Sequence, residues 1–291
     1  MKLRLHLARL RLLRWGITAT PLREGEYDTE IEGMPIRLSH SGFNIKWLDQ
    51  LNIVPKVVLE LGSFDGGDAL RFARAFPNAR IVTVEADPVR VKVVIKNLAH
   101  THAEVVNNAV CLKDGPVAWY TSKIDGKVDG QGSLYQHSDE YKEKFPHIEQ
   151  TTQSETVDGL RFDRVCELNN IDEIDFMHMD IEGAEYEVLL SLRPDIIEKV
   201  RILVVEFHYL TNLFDPMSCK IINSVFEKLL QTHVIYNVQH NPTHRNNKKF
   251  GFEINRTLEF CFINKTDNLI LDQWDNRNLK VKNLAVSEIF N

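Results

Sequence analysis

Short unbroken apolar runs alternate with stretches of helical periodicity from residue 56 onward, and that alternation leaves few architectures open. Lys56–Leu61 (KVVLEL), Arg80–Glu85 (RIVTVE), Ala103–Val110, Ile174–Met179 (IDFMHM) and Arg201–Phe207 (RILVVEF) read as strands. The runs are nearly continuous rather than alternating, as strands buried on both faces require. Gly67–Phe76 carries apolar residues at helical spacing and is closed by Pro77 and Asn78. Asp87-Pro88 offers an N-cap and a first-turn proline to a helix whose inner stripe is Val91, Val94, Ile95 and Leu98. Further helices are expected near Arg161–Asn169, over Gly183–Leu192 and over Met217–Leu230. Five β/α units predict a mostly parallel sheet with helices on both faces. His233–Val238 and Leu258–Ile263 are expected to add an antiparallel hairpin at the C-terminus, making seven strands. The polar stretch Lys113–Gln150 breaks the rhythm and is read as a short hairpin around Trp119 and Tyr120, then a loop lying over the functional site. Residues 1–50 are expected to be a helical or irregular appendage, and 51–291 the main domain.

Charge and cysteine usage exclude several classes. The 291 residues carry a net charge of −6, which does not suit a nucleic-acid partner. Basic residues collect at the start, where Lys2, Arg4, Arg9, Arg11, Arg14 and Arg23 precede the first acid. Arginines interrupt the leucines of Met1–Trp15 too often for a secretory signal. Three readings of that segment stay open: a basic amphipathic helix on an anionic membrane surface, a helix packed on the domain's own flank, and an organellar transit peptide. No uncharged apolar run is long enough to predict a membrane span. Cys111, Cys166, Cys219 and Cys261 are scattered without a CxxC pair, which suits a reducing, cytoplasmic compartment.

The first strand ends in Glu60-Leu-Gly62-Ser63-Phe64-Asp65-Gly66-Gly67-Asp68. This is a glycine-rich turn, but Phe64 stands where a dinucleotide fingerprint needs its second glycine. A pyrophosphate needs that close backbone approach, and Glu60, Asp65 and Asp68 would repel it. A cationic ligand without phosphate fits better, and S-adenosylmethionine, with its amino group and sulfonium, is such a ligand. Gly62, Ser63 and Gly66 would let it approach the backbone. The second strand ends at Glu85-Ala86, about 20 residues beyond the turn, where an acid is placed to take the two hydroxyls of a ribose. Asn108 and Ala109, at the end of the third strand, would lie near the adenine.

The most informative run is His178-Met-Asp180-Ile-Glu182-Gly183-Ala-Glu185-Tyr186-Glu187-Val188-Leu189, which follows Ile174-Asp-Phe. It resembles the signature of FkbM-type methyltransferases. Gly130-Gln-Gly132-Ser133-Leu134, Thr156-Val157-Asp158-Gly159-Leu160 and Val205-Glu206-Phe207-His208 resemble other segments of that family. The likeness runs roughly from Val57 to Phe207. Two positions depart from the family's habit: His178 replaces its usual Lys, and Phe64 a small residue or Asn. The resemblance implies a Rossmann-like class I methyltransferase fold. It also implies an O-methyltransferase, often acting on hydroxyls of sugars, glycans or glycosylated metabolites.

Methyl transfer from a sulfonium is an in-line displacement, and a hydroxyl nucleophile gains from a general base or a metal. Asp180, at the end of the fourth strand, is expected beside the transferred methyl, with Glu182 orienting the acceptor. Asp180 and His208 are the alternative bases, and pure positioning without proton chemistry is the remaining alternative. Asp180 with Glu206 would form an oxygen-ligand site suited to Mg²⁺. His178 is expected to be a core histidine. His240, His244, Arg245, Lys248 and Lys249 of the last hairpin either contact an anionic acceptor or form a solvated loop. Two other functions compete with methyl transfer: a nicotinamide-dependent oxidoreductase, and a binding module that kept the fold without the chemistry.

Overall fold

A computed structural model of the chain describes residues 30, 31, 34, 35, 45, 48, 53–208, 216–240 and 258–267. Met1–Trp15, His244, Arg245, Lys248 and Lys249 lie outside the described residues. Two compact units emerge, one built on Pro55–Leu192 and one on the residues from Arg193 onward.

The first unit opens with β1 (Val57–Leu61), α1 (Gly67–Ala75), β2 (Arg80–Glu85), α2 (Arg90–Asn97) and β3 (Glu104–Asn107). β4 (Ala109–Val110), β5 (Gly115–Trp119) and β6 (Glu155–Leu160) follow, then α3 (Phe162–Leu168), β7 (Ile174–Met179) and α4 (Glu185–Ser191). β1, β2, β3 and β7 are parallel, with β7 beside β1, β1 beside β2 and β2 beside β3. The chain therefore builds outward from β1 on one side and returns to its other side with β7. The carboxyl ends of β1 and β7 mark the point where strand order reverses. Val58, Leu59 and Leu61 of β1 are completely buried, which is why that run contains no alternation. Phe72 of α1 meets Phe176 of β7 edge to face at 5.1 Å, a pair worth about 1 kcal/mol beyond its burial. Asp87 caps the helix that begins with α2: its carboxylate accepts from Val89 and Arg90 N–H at 2.7 and 3.1 Å. Its carbonyl takes the first turn's bond from Val91.

The run 103–110, expected to be one strand, is two. β3 pairs with β2, whereas β4 pairs in parallel with β6 of a separate three-stranded sheet. Two asparagines make the switch. Asn107 Nδ2 donates to the carbonyls of Glu85 and Ala86, and Asn108 Nδ2 donates to Asp158. Side-chain amides thus take backbone bonds where the ladder stops. The hairpin expected around Trp119 is also different. Trp119 ends β5, whose partner is the distant β6. The local hairpin comes next, Ser122–Ile124 against Lys127–Val128. Asp125 and Gly126 turn it with φ of 51° and 73°, the Asp-Gly turn that matches strand twist.

The second unit contains β8 (Val200–Phe207), α5 (Pro216–Thr232), β9 (His233–His240) and β10 (Leu258–Asn264). β10 pairs antiparallel with both β8 and β9. The expected C-terminal hairpin is therefore present; its connecting loop lies outside the described residues. Ile222, Val225, Phe226 and Leu229 form the buried stripe of α5. Phe226 packs with Phe207 and Phe260, centroids 5.0 Å apart in each case. His233 is buried, bonding the Val200 carbonyl through Nε2 at 2.9 Å and Thr232 Oγ1 through Nδ1 at 2.8 Å. Burial pushes its pKa down to about 4. The protein is α/β, with parallel strands at its centre and antiparallel strands at its C-terminus.

Candidate active site

In open parallel sheets, ligands bind in the crevice outside the strands' carboxyl ends where the order reverses. The crevice is here. Gly62, just past β1, donates to Val84 of β2 at 2.9 Å, and Asp180, just past β7, donates to Leu61 at 2.9 Å. These bonds bring the two strand ends so close that a Cβ on Gly62 would stand 1.7 Å from the Asp180 carbonyl oxygen. Gly62 also has φ of 88°. Only glycine meets both demands. Beyond it opens a cleft with about 660 Å³ of empty space, part of it open solvent.

Glu85 sits at the β2 end of this cleft and is buried. Its Oε2 accepts from Phe64 N–H at 2.7 Å and its Oε1 from Asp87 N–H at 2.8 Å. A carboxylate has about four acceptor positions, so Glu85 keeps acceptor capacity for a ligand. Burial raises the Glu85 pKa to about 7, against the opposing effect of those N–H groups. Ala86, Asn108 and Ala109 line the cleft beside it. Asn108 is partly engaged, since its amide already bonds Asp158 at 3.2 Å.

Asp180 and Glu182 line the other end. Glu185 arranges their turn: its carboxylate accepts from Ile181 and Gly183 N–H at 3.1 Å. Glu182 holds φ of 51°, a left-handed conformation rare for a residue with a side chain. The fully buried Ser133 hydroxyl donates to the Glu182 carbonyl at 2.7 Å and ties the Gly-Gln-Gly-Ser segment to that turn.

An apolar wall faces these acids. Trp119, Ala109 and Val157 form a small core with Ala86, Val117 and Leu134 packed against it. Gly132 lies on Trp119, where a Cβ would come within 2.6 Å of the indole, and Gly130 lies on Phe64, where it would come within 2.9 Å of the ring. The small residues of this segment thus let a loop lie flat on two aromatic rings. Phe64 lines the cleft, and so do Arg90, Trp119, Asp129 and Leu134, which the sequence does not assign to it. The Asp87 cap could have pointed to Arg90, because it puts that residue in the first helical turn above Glu85.

Several predicted ligand-binding residues are elsewhere. Glu60, Ser63, Asp65, Gly66 and Asp68 do not line the cleft. Glu60 shares a register row with His178 of β7 and Thr83 of β2, and Thr83 donates to it. Asp68 pairs with Arg71 at 2.7 Å. Ligand atoms of Glu60, Asp68 and His178 lie within 4.8 Å of one another, all buried. Burial, with the Asp68 charge adding to it, raises Glu60 to about 8. With Asp68 held by Arg71, the group is an internal polar network. Side chains alternate across a strand, so Glu60 faces away from its neighbours at the turn. Asp65 is used locally, accepting from Gly67 N–H at 3.1 Å. Glu206, in the second unit, is buried on β8 opposite Glu259 of β10; His208, which follows β8, is half-buried.

Residues 60–241 match the model of the methyltransferase FkbM domain. The chain is similar to a 2-O-methyltransferase, NoeI, of Sinorhizobium fredii, 27% identical over 158 residues, which is 52% of this chain and 63% of that protein. The match thus spans a little under two thirds of the curated relative's length. Among solved structures, a precorrin-6y C5,15-methyltransferase from Geobacter metallireducens has 10% identity and a TM-score of 0.36, covering 75% of this chain and 85% of that one. An Aeropyrum pernix fibrillarin in complex with S-adenosyl-L-methionine has 11% identity and a TM-score of 0.38, covering 72% and 66%. The family model spans well over half of the chain and includes both strand-end acids of the cleft, Glu85 and Asp180. The chain belongs to the methyltransferase FkbM family.

Proposed function

We propose that this protein transfers the methyl group of S-adenosylmethionine to a hydroxyl oxygen of a sugar, a glycan or a glycosylated metabolite. The observation that carries this reading is that Glu85 and Asp180, from the ends of two different strands, line one cleft at the strand-order reversal. Glu85 would take the ribose hydroxyls, and the wall of Ala86, Ala109, Trp119 and Leu134 would receive the adenine. Family membership supports methyl transfer, and the likeness to a 2-O-methyltransferase supports oxygen as the accepting atom. A nicotinamide dinucleotide fits less well, because Phe64 and the cleft acids oppose a pyrophosphate.

In the reaction, the acceptor oxygen attacks the methyl carbon as the carbon–sulfur bond breaks, and the hydroxyl proton passes to a carboxylate. Asp180 is the base we assign, with Glu182 orienting the acceptor. His208 is the alternative base. Asp180 offers an oxygen donor of the kind Mg²⁺ takes. That ion would polarise the acceptor hydroxyl when bound. The Gly130–Leu134 segment and Trp119 would exclude water from the adenosyl moiety.

The partners proposed are a small-molecule or glycan acceptor and no nucleic acid, with an anionic membrane surface as a further partner for the basic N-terminal segment. Cytoplasmic residence is proposed on the four cysteines, which form no disulfide among the described residues. Among the described residues, no helix is long and apolar enough to cross a membrane. Calorimetric titration with S-adenosylhomocysteine and with NAD, then a methyl-transfer screen over glycan acceptors with and without Mg²⁺, tests the proposal. Binding of NAD in preference to S-adenosylhomocysteine would overturn it.

A further inference from the structure

Arg90 is the only cation lining the cleft among the described residues, and it stands among five acids: Glu85, Asp87, Asp129, Asp180 and Glu182. It neutralises none of them by contact. Among the described residues its guanidinium makes no ion pair, and its Nε is buried without a hydrogen-bond partner. Leaving a buried donor unmet is costly, so an arrangement that maintains it calls for a ligand. The guanidinium is held in place by stacking: its central carbon lies 4.3 Å from the centre of the Phe64 ring. Phe64 has φ of 53°, a conformation unusual for an aromatic residue, and Gly130 lies against its ring. The ring is thereby fixed as a platform. A guanidinium stacked on a ring keeps the N–H groups at its edge for an in-plane partner, and a carboxylate or phosphate matches that fork.

We propose that Arg90, held on Phe64, is the anion-receiving residue of the cleft and takes a carboxylate or phosphate of a bound ligand. The inference rests on the proposed methyl-transfer reading for the ligand's identity. Two sources carry the chemistry: the methionine carboxylate of the methyl donor, and an acidic group on the acceptor.

Wild type, Arg90→Gln and Arg90→Lys are compared after thermal melts show that each folds. In the first arm, S-adenosylhomocysteine and 5′-methylthioadenosine, which lacks the amino-acid end, are titrated calorimetrically. If the donor supplies the anion, Arg90→Gln weakens S-adenosylhomocysteine roughly 10- to 100-fold and leaves 5′-methylthioadenosine unchanged. In the second arm, inorganic phosphate is titrated into each protein, free and saturated with S-adenosylhomocysteine. If the acceptor supplies the anion, wild type binds phosphate and Arg90→Gln does not. In either case Arg90→Lys recovers only part of the effect, because an ammonium lacks the fork. Arg90→Gln behaving as wild type in both arms overturns the proposal. Failure of every variant to bind either nucleoside overturns the methyl-transfer reading instead, and phosphate binding by the free protein then decides the role of Arg90.

Discussion

Glu85 shows how one residue couples protonation to binding. Burial raises its pKa to about 7, so near neutral pH the empty cleft holds a mixture of its two forms. Ribose hydroxyls donate hydrogen bonds and favour the ionised form. Affinity for S-adenosylhomocysteine is therefore expected to fall as pH drops below about 7, by up to about tenfold per unit, and to level off above it. Glu85→Gln should bind roughly 10- to 100-fold more weakly at pH 8 and lose the pH dependence. Titration calorimetry from pH 6 to pH 8 checks both, and an unchanged slope in the variant would refute the assignment. Asp180→Asn separates chemistry from binding: methyl transfer should drop by at least about 100-fold while S-adenosylhomocysteine affinity changes little. The acids at the strand ends were readable in the sequence because an acid in that place has few other uses. Arg90 and Trp119 were not. Arg90 was hidden in a helix start, and Trp119 looks over the cleft only because β5 pairs with a strand far along the chain.

The turn after β1 and the turn after β7 act as one element, since each closes over the other. Gly62→Ala places a methyl on the Asp180 carbonyl at a positive φ. Overpacking and backbone strain together should cost roughly 3 kcal/mol or more, lowering Tm by about 6–12 °C. A variant that melts within a degree of wild type would show that the two turns are not in contact. The parallel strands were legible because each needs only a local apolar run and a following helix. The stretch 113–150 was not, because its pairing is set by remote residues: β5 with β6, and Ile148–Gln150 with Ser122–Ile124. Alternation within Gly115–Trp119 is too short to name such a partner. Likewise, Glu60 and Asp68 read as cleft acids because their proximity in sequence to Gly62 says nothing of which strand face they occupy.

Across the whole molecule, buried titratable groups give the two units opposite responses to acid. In the first unit, Glu60 and Glu85 are raised to about 8 and about 7 from 4.5. The folded form binds their protons more tightly, so their contribution is fullest below pH 4.5 and is lost as pH rises toward 8. In the second unit, His233 is lowered to about 4 from 6.5, so its contribution is present above pH 6.5 and is lost as pH falls toward 4. That loss amounts to roughly 3 kcal/mol. Thermal melts of wild type and His233→Gln between pH 4.5 and pH 7.5 should show the acid-side loss in wild type alone; equal slopes would contradict it. The central claim is that one cleft at the strand-order reversal holds the adenosyl group against Glu85 and presents its sulfonium methyl to Asp180. Calorimetric titration of the wild-type protein with S-adenosylhomocysteine, repeated with Glu85→Gln, tests it most directly. The account predicts one site per chain, with affinity clearly reduced in the variant. No binding to the wild type, or equal binding by both proteins, would contradict it.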